Sequence, residues 1–250
     1  MLPNSPSDAV IRAATPDDDD AIGRIVAEGD AVADAQYLAL VRAQGVRLSV
    51  AVADGRVVGF AGAADLVEAT MLTDLFVAAE RRGEGHGTRL LDAVFAERPR
   101  RMTFSSAHPA AHAAYARLGM EARWRLLYLS GVATGGGSLP PAAAWRHDRA
   151  SLVEQWGRTG AHVSSDIVLV PDGGGRRIAR LQHAEPVHLV EAVVAGLPAG
   201  TRVTMCVPEV SVLAAWAPAH DFSVTAFDTF RATAGVVLAP DLHVLDPGLA

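Results

Sequence analysis

Residues 75–88 read Leu75-Phe76-Val77-Ala78-Ala79-Glu80-Arg81-Arg82-Gly83-Glu84-Gly85-His86-Gly87-Thr88. The apolar start predicts a strand and the glycines a turn. Beyond them, Leu90, Leu91, Val94 and Phe95 share one face of a helix. The first backbone N–H groups of such a helix have no internal acceptor, and with the helix dipole they form an anion site. Glycines let the backbone approach a pyrophosphate and adopt conformations closed to other residues. Arg82 adds a fixed cation suited to phosphate. Two other readings compete. One is a dinucleotide fingerprint, but Gly83, Gly85 and Gly87 make GxGxG rather than GxGxxG, and they follow several strands instead of opening a βαβ unit. The other is a turn with a purely structural role.

The elements around this turn follow from pattern. Ala9–Ala13 reads as a short strand, and Thr15-Pro16-Asp17 opens a helix whose first turn, Asp17 to Asp20, complements the helix dipole. Residues 31–43 form an amphipathic helix stopped by Gly45. Residues 46–53 and 56–64 form a hairpin around Asp54-Gly55. Residues 70–78 are a strand, 88–97 a helix, 101–105 a strand, 109–118 a helix and 122–130 a long strand. Gly131–Pro141 then combines Gly135-Gly136-Gly137-Ser138 with Pro140-Pro141, which reads as linker chemistry. The expected division is a domain over 9–130, a linker over 131–141 and a second domain over 142–250. The second part repeats the order hairpin, helix, strand, helix, strand, a weak internal duplication.

The first part resembles the GNAT superfamily of N-acetyltransferases. The resemblance rests on Leu75-Phe76-Val77 as the L-x-V strand and on Arg82-Gly83-Glu84-Gly85-His86-Gly87 as [RQ]-x-x-G-x-[GA]. Looser support comes from His108-Pro109-Ala110-Ala111, where the family shows N-x-x-A, and from Tyr115-Ala116-Arg117-Leu118-Gly119-Met120. It covers about half the chain. The departures are Ala79, where a proline is common, and His108, where an asparagine is common. The implied fold is α/β of the α+β type: a mixed, mostly antiparallel sheet flanked by helices, with a second, smaller GNAT-like domain. That second domain has Gln182-His183-Ala184-Glu185-Pro186 in place of the phosphate turn, and Pro186 lacks a backbone donor. It is expected to be degenerate, to bind no coenzyme A and to shape the acceptor site.

The resemblance implies acetyl-coenzyme A, or another acyl-coenzyme A, as co-substrate. Its pyrophosphate would lie on the amides from Arg82 to Thr88, with side contacts from the His108–Ala111 region. Its pantetheine would run beside Leu75–Val77, where neighbouring strands splay, and a backbone N–H near Phe76 or Val77 would polarise the thioester. Tyr115 falls where the family often has its general acid, and a phenol is protonated at neutral pH. Asp74 lies near the catalytic carboxylate of some members, with Glu68, Glu28 and Asp30 as competitors for general base. His86 is expected to point outward from the turn and His112 to be structural. Asp228 shares a strand face with Phe222, Val224, Ala226 and Phe230. It is expected either to meet a substrate amine or to be a paired or rim carboxylate.

Composition excludes other classes. The 22 basic side chains are all arginine, so neither a lysine-dependent phosphate loop nor a Schiff-base lysine exists, and ordinary pyridoxal-phosphate chemistry is ruled out. One cysteine, Cys206, allows no internal disulfide and no cysteine-rich zinc site; no metal is expected. The net charge of −6 disfavours nucleic acid and suits cationic partners. Arginine and alanine usage fits a GC-rich bacterial genome. No apolar run approaches the ~18 residues of a membrane helix, and the expected location is the cytoplasm. The expected activity is direct acetyl transfer to a small-molecule primary amine, in a chain whose exposed strand edge could form a homodimer. The alternatives are a non-catalytic acyl-coenzyme A sensor or structural module, and a protein or peptide acetyltransferase.

Overall fold

The structure is a computed structural model, and it describes residues 9–28, 35–106 and 109–247. Its contacts divide into two compact units. Unit 1 holds the described residues up to Thr103, with Ala113–Glu121 and Ala232–Val236. Unit 2 holds Phe104–His112, Ala122–Arg231 and the described residues from Val237 onward. The architecture is mixed α/β with mostly antiparallel strands flanked by helices, as expected.

In unit 1, β1 (Val10–Ala13) is followed by α1 (Asp19–Ala27), α2 (Ala35–Ala43), β2 (Arg47–Ala53), β3 (Arg56–Asp65), β4 (Thr70–Val77), α3 (His86–Val94), β5 (Arg101–Ser105, to Thr103) and α4 (Pro109–Arg117, from Ala113). The strands lie in the order β1-β2-β3-β4-β5. All pairs are antiparallel except β4 with β5. The β2–β3 hairpin turns on Asp54 and Gly55, both at positive φ, as a two-residue turn between twisted strands requires. Leu90, Leu91, Val94 and Phe95 are buried, so α3 closes its apolar stripe against β2, β3 and β4.

Two irregularities of β4 matter for the site. Gly62 pairs with Asp74 but Ala63 pairs with Leu72, so Thr73 is an extra, bulged residue. A bulge resets the alternation of side chains. Leu72 and Asp74 therefore lie on opposite faces despite their spacing of two. The second irregularity is that β4 pairs with β5 only from Thr70–Arg101 to Leu72–Thr103. From Thr73 to Val77 the edge of β4 away from β3 has no strand partner among the described residues.

Unit 2 contains β6 (Glu121–Val132, from Ala122), α5 (Ala150–Arg158), β7 (His162–Val163), β8 (Ile167–Asp172), β9 (Gly175–Gln182), α6 (Val187–Gly196), β10 (Arg202–Pro208), α7 (Val212–Trp216), β11 (Ser223–Ala232, to Arg231) and β12 (Leu242–Val244). Its strand order is β11-β6-β10-β9-β8-β7, with β12 added to β9. Leu129, Ile178, Leu181, Val190, Val203 and Met205 belong to one buried cluster.

These units do not follow the boundary expected near residue 131. Strand β6 pairs with β10 through seven residues, from Val132–Arg202 to Leu126–Pro208, inside unit 2. Nor is 131–141 a free linker. Thr134 N–H donates to Val194 O at 3.0 Å and Gly137 N–H to Ala195 O at 2.9 Å. A Cβ on Gly137 would lie 2.8 Å from that of Ala195. Of the glycines that read as flexibility, Gly137 serves close approach to α6 and Gly135 approaches Ala199 just beyond it.

Candidate active site

The glycine turn is built as its sequence requires. A short 3-10 turn, Ala79–Arg81, follows β4. Gly83 and Gly85 then take φ +88° and +83°, and a Cβ at either would meet no atom within 4 Å. Gly85 is the N-cap of α3 and supplies no side-chain cap. Arg89 is bonded within the helix, its N–H to Gly85 O at 3.1 Å. The N–H groups of His86, Gly87 and Thr88 precede it and lie in the first turn, where helices have no internal acceptor. Gly87 approaches Val77, with 3.7 Å between its Cβ position and a Val77 methyl.

Charged groups at this turn are ordered. Arg82 is exposed and donates from Nε to Val77 O at 3.1 Å. Glu84 would place a negative charge in an anion site, but Arg81 Nε donates to it at 2.9 Å and His86 Nε2 lies 3.1 Å away. The Arg81 bond, ahead of burial, lowers its proton affinity. His86 does not point outward as expected. It is buried at 1% exposure, and its Nδ1 has no hydrogen-bond partner among the described residues. As the first residue of α3 it turns inward, held by Glu84.

The open edge of β4 carries specific donors. Ala78 N–H donates to Val58 O at 2.9 Å, and Phe76 O lies 2.9 Å from the Cβ position of Gly59. In an antiparallel ladder the direction of backbone groups alternates. Phe76 therefore spends its backbone groups on β3, whereas Leu75 and Val77 direct theirs to the open edge. Of the two residues expected to donate there, Val77 fits and Phe76 does not. The Phe76 ring stacks on Phe60, with centroids 5.5 Å apart.

Asp74 lies on the same sheet face as Phe60, Gly62 and Phe76, opposite the face that α3 covers. It is 9% exposed. The Tyr37 hydroxyl, from α2, donates to both carboxylate oxygens at 3.1 Å, and Thr73 Oγ1 donates to Oδ2 at 2.8 Å. Burial raises the proton affinity of Asp74, and these two donors oppose the rise. Gly62 is needed opposite, since a Cβ there would lie 2.9 Å from Asp74 Oδ2 and closer still to Thr73 Oγ1. Sequence reasoning missed Tyr37. Its only signal was a tyrosine on an amphipathic helix, which reads as core.

The competing carboxylates are placed elsewhere. Glu28 accepts from Ala79 N–H at 2.8 Å and so caps the turn after β4. Glu68 precedes β4 at its far end, nine residues before Val77 or ~30 Å along an extended strand. Asp30 and His108 lie outside the described residues. Tyr115 is 5% exposed on α4, and its carbonyl accepts from Leu118 and Met120 N–H, both at 3.0 Å. Arg101 Nη1 donates to Leu118 O at 3.3 Å and anchors that helix end in unit 1. Ala111 is half-buried. His112 lies 3.0 Å from Ser106 O through Nε2. Asp228 accepts from the Tyr128 hydroxyl at 2.7 Å and is thus paired.

Residues 44–121 match the model of the acetyltransferase (GNAT) domain. This part of the chain is a GNAT acetyltransferase domain. Nearly the whole chain also shares its fold with solved acetyltransferases. A proposed acetyltransferase from Pyrococcus horikoshii is 12% identical, with a TM-score of 0.76 over 97% of this chain and 96% of its own. A GCN5-related N-acetyltransferase from Sphaerobacter thermophilus is 13% identical, with a TM-score of 0.62 over 93% and 96%. A GCN5-related glucosamine N-acetyltransferase region of a fungal β-N-acetylglucosaminidase is 13% identical, with a TM-score of 0.64 over 93% and 39%. No curated protein matches the sequence. The GNAT domain makes the chain an acyltransferase. No helix among the described residues is long and apolar enough to cross a membrane.

Proposed function

We propose that the chain transfers an acetyl group from acetyl-coenzyme A to the primary amine of a small molecule, by direct attack of the neutral amine. The observation that carries this reading is the edge of β4 from Thr73 to Val77, which has no strand partner among the described residues and leads into the start of α3, where Gly85 supplies no side-chain cap. The open space beside Gly83 and Gly85 suits a pyrophosphate, and an extended pantetheine arm suits a strand edge with alternating donors. The bound thioester would supply the acyl group. Leu75 and Val77 would bind the arm through their N–H groups, and Val77 is the donor for the carbonyl oxygen. Arg82, released from Val77 O, would pair with a phosphate.

Asp74 is read as the group that takes the proton from the attacking nitrogen, directly or through water. It faces α2, is buried, and its proton affinity is raised toward the range useful for a base at neutral pH. Tyr115 is read as the donor to the departing thiolate. A small-molecule acceptor accords with the acidic balance of the chain and with the glucosamine named for the fungal relative.

The second unit is read as a degenerate GNAT-like unit that binds no coenzyme A. Strands β9 and β10 are parallel from Val203–Arg176 to Met205–Ile178. Beyond that, β12 adds to β9 at Leu181 and Gln182, and Leu245 N–H donates to Cys206 O at 3.2 Å. The groove between these strands is thus filled by the chain itself. At the connection before α6, Asp241 O accepts from His183 N–H at 2.9 Å, and its carboxylate accepts from Gln182 at 3.2 Å. An acidic side chain there opposes an anion site.

The test is to follow thiol release from acetyl-coenzyme A with a panel of small amines, beside calorimetry with coenzyme A. Saturable, amine-dependent release supports the reading. Coenzyme A binding without release for any amine would favour a sensor, and release only with peptides would reassign the acceptor.

A further inference from the structure

We propose that unit 2 carries a second small-molecule site, which takes a ligand bearing a primary ammonium group in the cavity framed by Tyr128, Asp172, Thr204, Cys206, Thr225 and Asp246. The cavity has a volume of about 240 Å³ and its lining lies wholly within unit 2. That is below the ~300 Å³ at which drug-sized pockets begin, so the occupant is small. Leu129, Met205 and Pro247 give it an apolar wall.

The polar lining is acceptor-rich for a definite reason. A hydroxyl has one proton and two lone pairs. Thr204 gives its proton to Asp172 Oδ2 at 2.7 Å, Thr225 to Tyr128 O at 3.2 Å, and Tyr128 to Asp228 at 2.7 Å. All three oxygens therefore offer only lone pairs to a guest. Among the described lining residues Arg177 is the one cation; its Nη1 pairs with Asp246 at 3.1 Å, while its buried Nε has no acceptor among the described residues. Asp172 also has an arginine beside it, Arg202 at 3.7 Å from outside the lining, so Asp172, Asp246 and, behind Tyr128, Asp228 stand against two guanidinium groups. An ammonium group, with three N–H donors and one positive charge, matches such a lining.

A second observation points the same way. Cys206 lines the cavity at 6% exposure as a free thiol. Burial, then Asp246, pushes this thiol up to about 12, although Arg177 opposes them. The site does not depend on the coenzyme A reading, since no residue of β4 or of the glycine turn takes part.

Cys206 is the chain's single cysteine, so thiol labelling of the full chain reads this cavity alone. Three methanethiosulfonates of similar size are compared, carrying a primary ammonium, a trimethylammonium or a sulfonate, each normalised to a free small thiol. The ammonium reagent is expected to react at least about tenfold faster than the sulfonate and faster than the trimethylammonium. Asp172→Asn should shrink that preference; Thr225→Val, at an exposed position, serves the same purpose should the first variant not fold. Equal rates, no reaction with any reagent, or a preference that both variants leave intact would each overturn the proposal. A trimethylammonium rate equal to the ammonium rate would also overturn it, because N–H donors would then not be read.

Discussion

The Tyr37 hydroxyl lies 3.1 Å from both carboxylate oxygens of Asp74. The pair joins α2 to the bulge of β4, two elements separated by a hairpin in sequence. A donor to a carboxylate favours its ionised form, while burial favours the protonated form. Asp74 is poised between them, with burial the larger effect.

Tyr37→Phe removes one of the two opposing donors and leaves the ring. The proton affinity of Asp74 then rises further. If Asp74 is the base, the acid limb of kcat/KM moves to higher pH, while coenzyme A affinity changes little. A pH profile of acetyl transfer with calorimetry checks this. An unmoved limb would mean that Asp74 does not take the proton.

The turn was legible because its chemistry is local. Glycines at fixed offsets, an arginine and a following apolar stripe all lie within twenty residues, and each has a direct backbone consequence. The hairpin at Asp54-Gly55 was legible for the same reason. The support of Asp74 was not legible, because the Thr73 bulge, the Gly62 opposite and the Tyr37 donor arise from pairing between distant segments. His86 misled because a histidine in a polar turn reads as solvated, yet as the first residue of α3 it is buried with only Nε2 reaching the exposed Glu84. Residues 131–141 misled because glycine serves flexibility and close packing equally well, and only the position of α6 distinguishes the two.

Gly85→Asp tests the anion site against Gly85→Ala. Both force a side chain into φ +83°, which costs ~1–2 kcal/mol. Only the aspartate adds negative charge where the pyrophosphate would lie. Coenzyme A affinity should fall on the order of 10²-fold more for aspartate than for alanine, about the ~3 kcal/mol at the upper end for an uncompensated charged contact. Equal losses in calorimetry would mean that the turn does not hold phosphate.

Tyr115→Phe keeps a ring that is 5% exposed and deletes its hydroxyl. Turnover should fall by about 10²-fold with coenzyme A affinity preserved, the usual size of a general-acid contribution. Unchanged turnover in a steady-state assay would leave Tyr115 a packing residue.

Asp18 gives a stability prediction. Its carboxylate accepts from Arg12 at 2.7 and 2.8 Å and from Thr15 N–H at 2.8 Å. The Arg12 bonds, opposed by burial, hold it well below the usual carboxylate range. A depressed folded-state value means that the stabilisation is full above the unfolded value near 3.8. It is lost as pH falls below that point. Asp18→Asn should lower Tm at pH 7 and flatten the fall in Tm below pH ~4. Thermal melts across pH 2–7 check both.

The last prediction concerns stoichiometry. Among the described residues, unit 1 has a strand edge without a strand partner from Thr73 to Val77, followed by glycines at positive φ. Unit 2 has β12 on the corresponding strand, Asp241 at the following connection and Pro186 where a donor would be needed. Binding there would require β12 to leave, exposing Val244 and Leu245, which are 0% and 1% exposed. Burial of two such side chains is worth ~3–6 kcal/mol, so displacement would weaken binding by at least two orders of magnitude. Titration of the full chain with coenzyme A should saturate at one molecule per chain, and Gly85→Asp should abolish that binding rather than halve it. A second equivalent bound, or half the heat surviving in Gly85→Asp, would place a working cofactor site in unit 2. It would also require β12 to be a displaceable strand instead of a fixed part of the sheet.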